Sequence, residues 1–267
     1  MSILEAIILG IVQGLCEFLP VSSSGHLLVL QDLFNINAGG RFFTVMLHLG
    51  TLIAVLIVYR KRVIEMICHP VKQQKYWLWL IAATAVTVII QLIFGDLFES
   101  LEKVQYIGYF FLFTALMLTA CDIWRKNRKA DLTVPKMKWY QALFVGFMQG
   151  IAILPGVSRS GATITGATFC NMKKEDAAEF SFLLSIPAIL GGAVLEIPDA
   201  VREGVVGSIL PVIVGVIVAG ISGYFAVRFM IKLITKHSFR GFAVYTAVLG
   251  LFIIIDWNFV HLLFNRG

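Results

Sequence analysis

Gly10-Ile-Val-Gln-Gly-Leu-Cys-Glu-Phe-Leu-Pro-Val-Ser-Ser-Ser-Gly25 aligns without gaps on Gly146-Phe-Met-Gln-Gly-Ile-Ala-Ile-Leu-Pro-Gly-Val-Ser-Arg-Ser-Gly161. Gly10/Gly146, Gln13/Gln149, Gly14/Gly150, Val21/Val157, Ser22/Ser158, Ser24/Ser160 and Gly25/Gly161 are identical pairs. Further on, Phe43–Leu49 resembles Phe180–Ile186. The spacing is close to half the chain, so the sequence reads as one domain over 1–267 built from two related halves, about 1–130 and 137–267. Both copies are apolar stretches broken at their middle by proline, glycine and serine. Each predicts two half-length helices folded back as a hairpin. Such a break in a bilayer is tolerated only where protein or a water-filled cavity covers the backbone.

The surrounding composition demands a membrane. Of 267 residues, 58% are hydrophobic and 14% charged, against roughly 25% charged in soluble domains. Six long, nearly uncharged runs follow the hairpins: Phe42–Tyr59, Tyr76–Gly95, Val104–Cys121, Phe180–Leu195, Gly204–Val227 and Gly241–Ile255. The last is short and is expected to continue past Asp256. A span takes roughly 20 residues, and the runs lack the dyad alternation of barrel strands. The fold class is therefore an all-α integral membrane protein with two inverted-topology repeats, each a re-entrant helical hairpin plus three transmembrane helices. Three spans per half is an odd number, so the second half must sit inverted.

Loop charges bear on orientation. Arg60–Lys75 holds five basic residues and one acidic, Arg125–Lys138 six and one, Arg228–Arg240 four and none. These should face the cytoplasm. The acidic connections Asp96–Lys103 and Pro198–Ser208 and both termini should lie outside. The net charge of +6 thus reflects orientation, and no nucleic-acid partner is expected. Cys16, Cys68, Cys121 and Cys170 have no metal-ligand or CxxC spacing and read as small apolar fillers. No cleavable leader is expected from the N-terminal residues.

The hairpin tips carry the polar groups. Gln13 and Glu17, four apart, share a helix face, and Pro20 ends that helix. Ser22, Ser23, Ser24 and Gly25 supply hydroxyls and a cap for the next half-helix, and His26 follows. The second tip has Gly156, Ser158, Arg159, Ser160, Gly161 and Thr163, with Arg159 at the place of Ser23. Helix N-termini favour anions, and a guanidinium fork suits phosphate. Ser22, Ser24, Ser158, Arg159, Ser160 and Thr163 therefore form a candidate phosphate cradle. Glu17 beside a serine makes a base and nucleophile pair. Plainer readings stand beside these: serines that only cap, an interior His26, a structural Glu17–Arg159 ion pair. His48 and Ser185, at equivalent places in the halves, are expected to line the bundle. Glu179, at the membrane edge, is a candidate for a network with Arg159.

Gln13–His26 and Pro155–Thr163 together resemble the two signature motifs of the bacterial undecaprenyl-diphosphate phosphatase (bacitracin-resistance) family, and Glu179–Pro187 resembles it too. The likeness covers essentially the whole chain. It implies hydrolysis of a C55 polyprenyl diphosphate to the monophosphate carrier used in cell-wall synthesis, in the bacterial inner membrane, at a site open to the periplasmic or external side. By the same resemblance Ser23 is a nucleophile, Glu17 a base or metal-associated group, His26 a nucleophile or acid–base group, and Arg159 a phosphate ligand. A divalent cation, Mg²⁺ or Ca²⁺, is implied, bridging the substrate, with Glu17 and Gln13 as candidate ligands. Some members have a glutamate where this chain has Gln13. Gln13, Gly25, Gly156, Gly161 and Glu179 are the supporting residues. Inverted repeats also suit a carrier of polyprenyl phosphate, which is the alternative function. The oligomeric state, a homodimer included, is left open.

Overall fold

A computed structural model describes residues 1–36, 41–126, 128, 130–202, 209–260 and 263–264. Helix α1 (Ile3–Phe18) starts at a capping box, in which the Ser2 amide donates to Glu5 Oε2 at 2.7 Å and the Glu5 amide to Ser2 Oγ at 3.2 Å. It stops because Leu19, preceding Pro20, is extended (φ −73°, ψ 143°), as a residue before proline must be. Helix α2 (Ser23–Leu33) folds back on α1. Then come α3 (Arg41–Val58), α4 (Arg60–Cys68), α5 (Gln74–Ser100) and α6 (Val104–Lys126). The second half has a 3₁₀ turn at Val134–Lys136, then α7 (Trp139–Ile151) and α8 (Arg159–Phe169), again folded on each other. It closes with α9 (Lys174–Arg202), α10 (Ile209–Lys236) and α11 (Arg240–Ile255).

Among the described residues five helices are long and apolar enough to cross a bilayer, α5, α6, α9, α10 and α11, and α3 with α4 makes a sixth if that bent pair is one span. All six apolar runs of the sequence fall in these helices, except that 204–208 lie outside the described residues. The last run does continue past Asp256, through a π-helical turn over Asp256–Val260. Asp256 is buried, and one carboxylate oxygen accepts from the Leu263 and Phe264 amides. The basic stretch after α3 is not a plain loop. It begins with α4, bent 78° from α3. Met66 faces inward while Ile64 and Ile67 are exposed, the pattern of a helix lying along an interface.

Packing partners are exchanged between the halves. The first hairpin's α1 lies along α10, and the second hairpin's α7 lies along the repeat-equivalent α5. Lipid is as apolar as leucine, so close helix approach rests on small residues. A Cβ on Gly10 would stand 2.8 Å from Gly215 O, and one on Gly146 would run into the Ala83 backbone. The remaining central pairs join like with like, α3 with α9 and α6 with α11. This arrangement leaves both hairpin tips in the interior, walled by α6, α3 and α9.

Candidate active site

Each tip is built by a serine that caps the returning helix. Ser22 Oγ accepts from the Gly25 amide at 3.4 Å, and Ser158 Oγ accepts from the Gly161 amide at 3.1 Å. The turn before each cap needs one residue with positive φ. In the first tip it is Ser22 itself (φ 68°), in the second Gly156 (φ 96°). The two tips are stapled directly: the Gly156 amide donates to Ser22 Oγ at 3.1 Å, and Ser160 Oγ donates to Leu19 O at 3.1 Å. Thr114 of α6 holds the second tip from behind, donating to Gly156 O at 2.9 Å and accepting from the Ser158 amide at 3.1 Å. Gly25 sits where the tips cross, and a Cβ there would stand 2.9 Å from Gly156 Cα.

The crossing places opposite charges together. Glu17 is buried, and its Oε1 meets the Arg159 guanidinium from the other half of the chain. Its Oε2 accepts from Ser23 Oγ at 2.6 Å and from Gln13 Nε2 at 2.9 Å. A hydroxyl donating to a carboxylate at that length is a strong, charge-assisted bond. His48 of α3 brings Nε2 to 3.6 Å from the same oxygen, with Nδ1 2.8 Å from Thr44 O. The Arg159 side chain keeps 21% of its surface accessible, against 2% for Glu17, so a ligand reaches the guanidinium before the carboxylate. His26 faces away from this cluster. Its Nδ1 lies 2.7 Å from Ser22 O and its Nε2 2.7 Å from the Tyr245 hydroxyl, with the two rings stacked at 5.7 Å.

A family profile described as bacitracin resistance protein BacA matches residues 6–252. The chain belongs to the BacA family. Among BacA-type relatives, it is 42% identical over 259 residues to an undecaprenyl-diphosphatase of Carboxydothermus hydrogenoformans, covering 96% of this chain and 97% of that protein. It is 43% identical over 266 residues to undecaprenyl-diphosphatase 4 of Bacillus thuringiensis strain Al Hakam, covering 98% and 99%. An undecaprenyl-diphosphatase of Halothermothrix orenii is 39% identical over 259 residues, covering 96% and 98%.

Within this BacA-family chain the residues singled out from sequence do not all meet. Gln13, Glu17, Ser23 and Arg159 form one hydrogen-bonded and ionic cluster, with Ser22, Ser24, Ser158 and Ser160 around it. Gly25, Gly156 and Gly161 sit in the crossing itself. Thr163 is not available to a ligand as read. It is 1% exposed, donates to Arg159 O at 2.9 Å and pairs with Ser181 Oγ. Glu179 is engaged elsewhere rather than with Arg159. It accepts from Arg62 Nε at 2.7 Å and Tyr76 OH at 3.0 Å, tying α9 to α4 and α5. Burial would lower the pKa of Arg62, but the Glu179 carboxylate outweighs it and holds the guanidinium above its ordinary value. His48, half-buried at its place in the repeat, stands with Nε2 against Glu17. Tyr245 carried no signal in the sequence; its partnership with His26 spans 219 positions.

Proposed function

We propose that this protein hydrolyses undecaprenyl diphosphate to undecaprenyl phosphate and inorganic phosphate, and that the crossed hairpin tips are its active site. The observation that carries the reading is the 2.6 Å bond from Ser23 Oγ to Glu17 Oε2 beside an arginine that keeps about a fifth of its side-chain surface accessible. Glu17 takes the Ser23 proton as Oγ forms a bond to the terminal phosphorus. The bond from that phosphorus to the bridging oxygen breaks, and the lipid monophosphate leaves. Water then releases phosphate from the serine. Arg159 is held by Glu17 before substrate arrives. A terminal phosphate competes for the same guanidinium, and a carboxylate relieved of its cation is the better proton acceptor. Arg159 and the half-buried Ser24 hydroxyl then neutralise the transferring oxygens, while the buried Ser158 and Ser160 hydroxyls, engaged with the Gly161 amide and Leu19 O, hold the tip that presents the guanidinium. His26, anchored through Nδ1 to a carbonyl, keeps Nε2 for proton exchange with the leaving side through Tyr245.

Divalent-cation dependence fits the donor set in one form. Among the described residues no group of three or more His, Cys, Asp or Glu is arranged to hold a metal. Gln13 Oε1, however, is a buried acceptor without a hydrogen-bond partner among the described residues. Gln13 with Glu17 would hold an Mg²⁺ or Ca²⁺ ion whose other ligands are diphosphate oxygens and water, as such hard cations accept. Such an ion supplies charge neutralisation on the diphosphate.

The inverted topology belongs to this proposal, with basic loops inside, termini outside and the site opening outward in the bacterial inner membrane. Inverted repeats with broken helices meeting mid-membrane are a known way to build an intramembrane site. Single cysteines in a cysteine-free protein test it. A cysteine at Lys72 should be shielded from an impermeant external thiol reagent in intact cells, and one at Glu99 should react; the reverse pattern overturns the orientation. Lys129 and Glu203, on two further diagnostic loops, lie outside the described residues.

Activity is tested with purified protein in detergent. Release of inorganic phosphate from a C55 or C15 prenyl diphosphate with added Mg²⁺ or Ca²⁺ is the expected result. No release under any cation, with movement of lipid phosphate across vesicle bilayers, would sink the phosphatase reading.

A further inference from the structure

We infer that the end of the bundle where α6 finishes and α9 begins holds a binding site for an anionic glycerophospholipid, separate from the hairpin tips. A cavity of about 350 Å³ there is lined by Arg125, Arg128, Lys173 and Lys174, with Glu175 as the one carboxylate among the described lining residues and Trp124 as the wall. Four cations against one carboxylate select a negatively charged group. Beside it runs a second hollow of about 590 Å³, walled by Trp124, Phe144, Phe169, Cys170 and Tyr140. Trp124 and Asn171 belong to both. A charged chamber sharing the Trp124 and Asn171 wall with an aromatic groove matches a molecule with a phosphate head and an acyl tail, not a free anion. Basic pockets between membrane helices take anionic lipid head groups in this way.

The wall residues are set for such a ligand. Arg128 lies flat over the Trp124 ring at 3.8 Å, and Trp124 packs on Phe169 with ring centroids 5.2 Å apart. Trp124 Nε1–H is buried and has no hydrogen-bond acceptor among the described residues, an unmet donor on the residue that lines both hollows. At the groove mouth Trp139 and Tyr140 are exposed and pack edge to face at 5.8 Å. Aromatic residues in that position mark the head-group level of a bilayer. The basic residues come from α6 and from the turn into α9, and the lipid would bridge them. None of them touches Glu17, Ser23 or Arg159, so the site stands whether or not the phosphatase reading does.

Native mass spectrometry of the full chain tests the inference, using protein released from nanodiscs of equimolar phosphatidylglycerol and phosphatidylcholine. Wild type should retain phosphatidylglycerol at least fivefold over phosphatidylcholine. Arg128→Gln, at an exposed position, should cut that preference about fivefold, the weight of one cation near a membrane surface. The combined variant Arg125→Gln, Arg128→Gln, Lys173→Gln should abolish it, while its size-exclusion profile and thermal unfolding in detergent stay those of wild type and vouch for the fold. No preference in wild type, or an undiminished preference in Arg128→Gln, overturns the site. A third arm adds 10 mM inorganic phosphate. Retained phosphatidylglycerol supports a lipid, and its displacement would assign the pocket to a soluble anion and overturn the lipid.

Discussion

The two hairpin tips share a backbone plan and differ in cargo. Both cap the returning helix with a serine and a glycine three residues on, and both lay their first helix on a repeat-related partner. At equivalent places one carries Ser23 and the other Arg159; one carries Glu17 and the other Ile153. Their glutamines also part ways. Gln13 donates to Glu17, whereas Gln149 donates to Thr87 of α5 at 3.1 Å. The duplicated part is the scaffold, which must bury broken backbone. The unduplicated part carries the proposed chemistry, in which Ser23 and Glu17 on one tip act as nucleophile and base and Arg159 on the other is a fixed cation.

Substitutions that erase this asymmetry should have the largest effects. Ser23→Ala removes the only hydroxyl that donates to Glu17 among the described residues. Turnover should fall roughly a thousandfold or more, as for other nucleophile deletions, while substrate binding persists because Arg159 is untouched. Near-normal phosphate release would move the nucleophile to His26 or to water. On the other tip, Arg159→Lys keeps the charge and loses the fork. Turnover should drop well over tenfold, at about 1.4 kcal/mol per decade, with no loss of folded protein by size-exclusion chromatography. A rate within twofold of wild type would reduce the second tip to a general electrostatic role.

The scaffold can be probed by paired glycine substitutions. Gly25→Ala drives a Cβ against Gly156 backbone, whereas Gly161→Ala meets Ser158 and Pro20 side-chain atoms at 3.1 and 3.3 Å. Gly25→Ala should cost about 1–3 kcal/mol of stability, in the range of overpacked interiors, and Gly161→Ala less. Thermal unfolding in detergent reads both, and equal losses would mean the tips do not cross as closely as described. The smallest effect belongs to Tyr245→Phe. It removes one hydrogen bond to His26, so turnover should fall by a few-fold, in line with about 1 kcal/mol for one bond. A loss as large as that of Ser23→Ala would give His26 the central role.

Local features were legible in the sequence and long-range partnerships were not. Six apolar runs and two broken repeats located every helix long and apolar enough to cross among the described residues, and both tips, because hydropathy and breakers are written residue by residue. The Gln13–Glu17 pairing followed from helical spacing. The bend into α4 did not, since Tyr59 carries no proline or glycine to announce it. Thr163 reads in sequence as a free hydroxyl, but in the fold it is paired with Ser181, 18 residues on. Glu179 was drawn toward Arg159 by charge alone, while Arg62, 117 residues away in the chain, holds it in the fold. His48 and Tyr245 show the same limit: periodicity says which face a side chain occupies, never which neighbour waits there.

The staple between Ser22 and Gly156 joins residues 134 positions apart. Synthesis at about 5–20 residues per second puts the second tip on the order of ten seconds behind the first. Throughout that interval Glu17 sits on a nascent hairpin whose counter-charge does not yet exist. A carboxylate in hydrocarbon without its partner is costly, so the first hairpin has reason to wait at the membrane surface or in the insertion machinery until Arg159 arrives. A chain stopped before its second half would carry that unpaired charge permanently, and would be a target for clearance rather than half an enzyme.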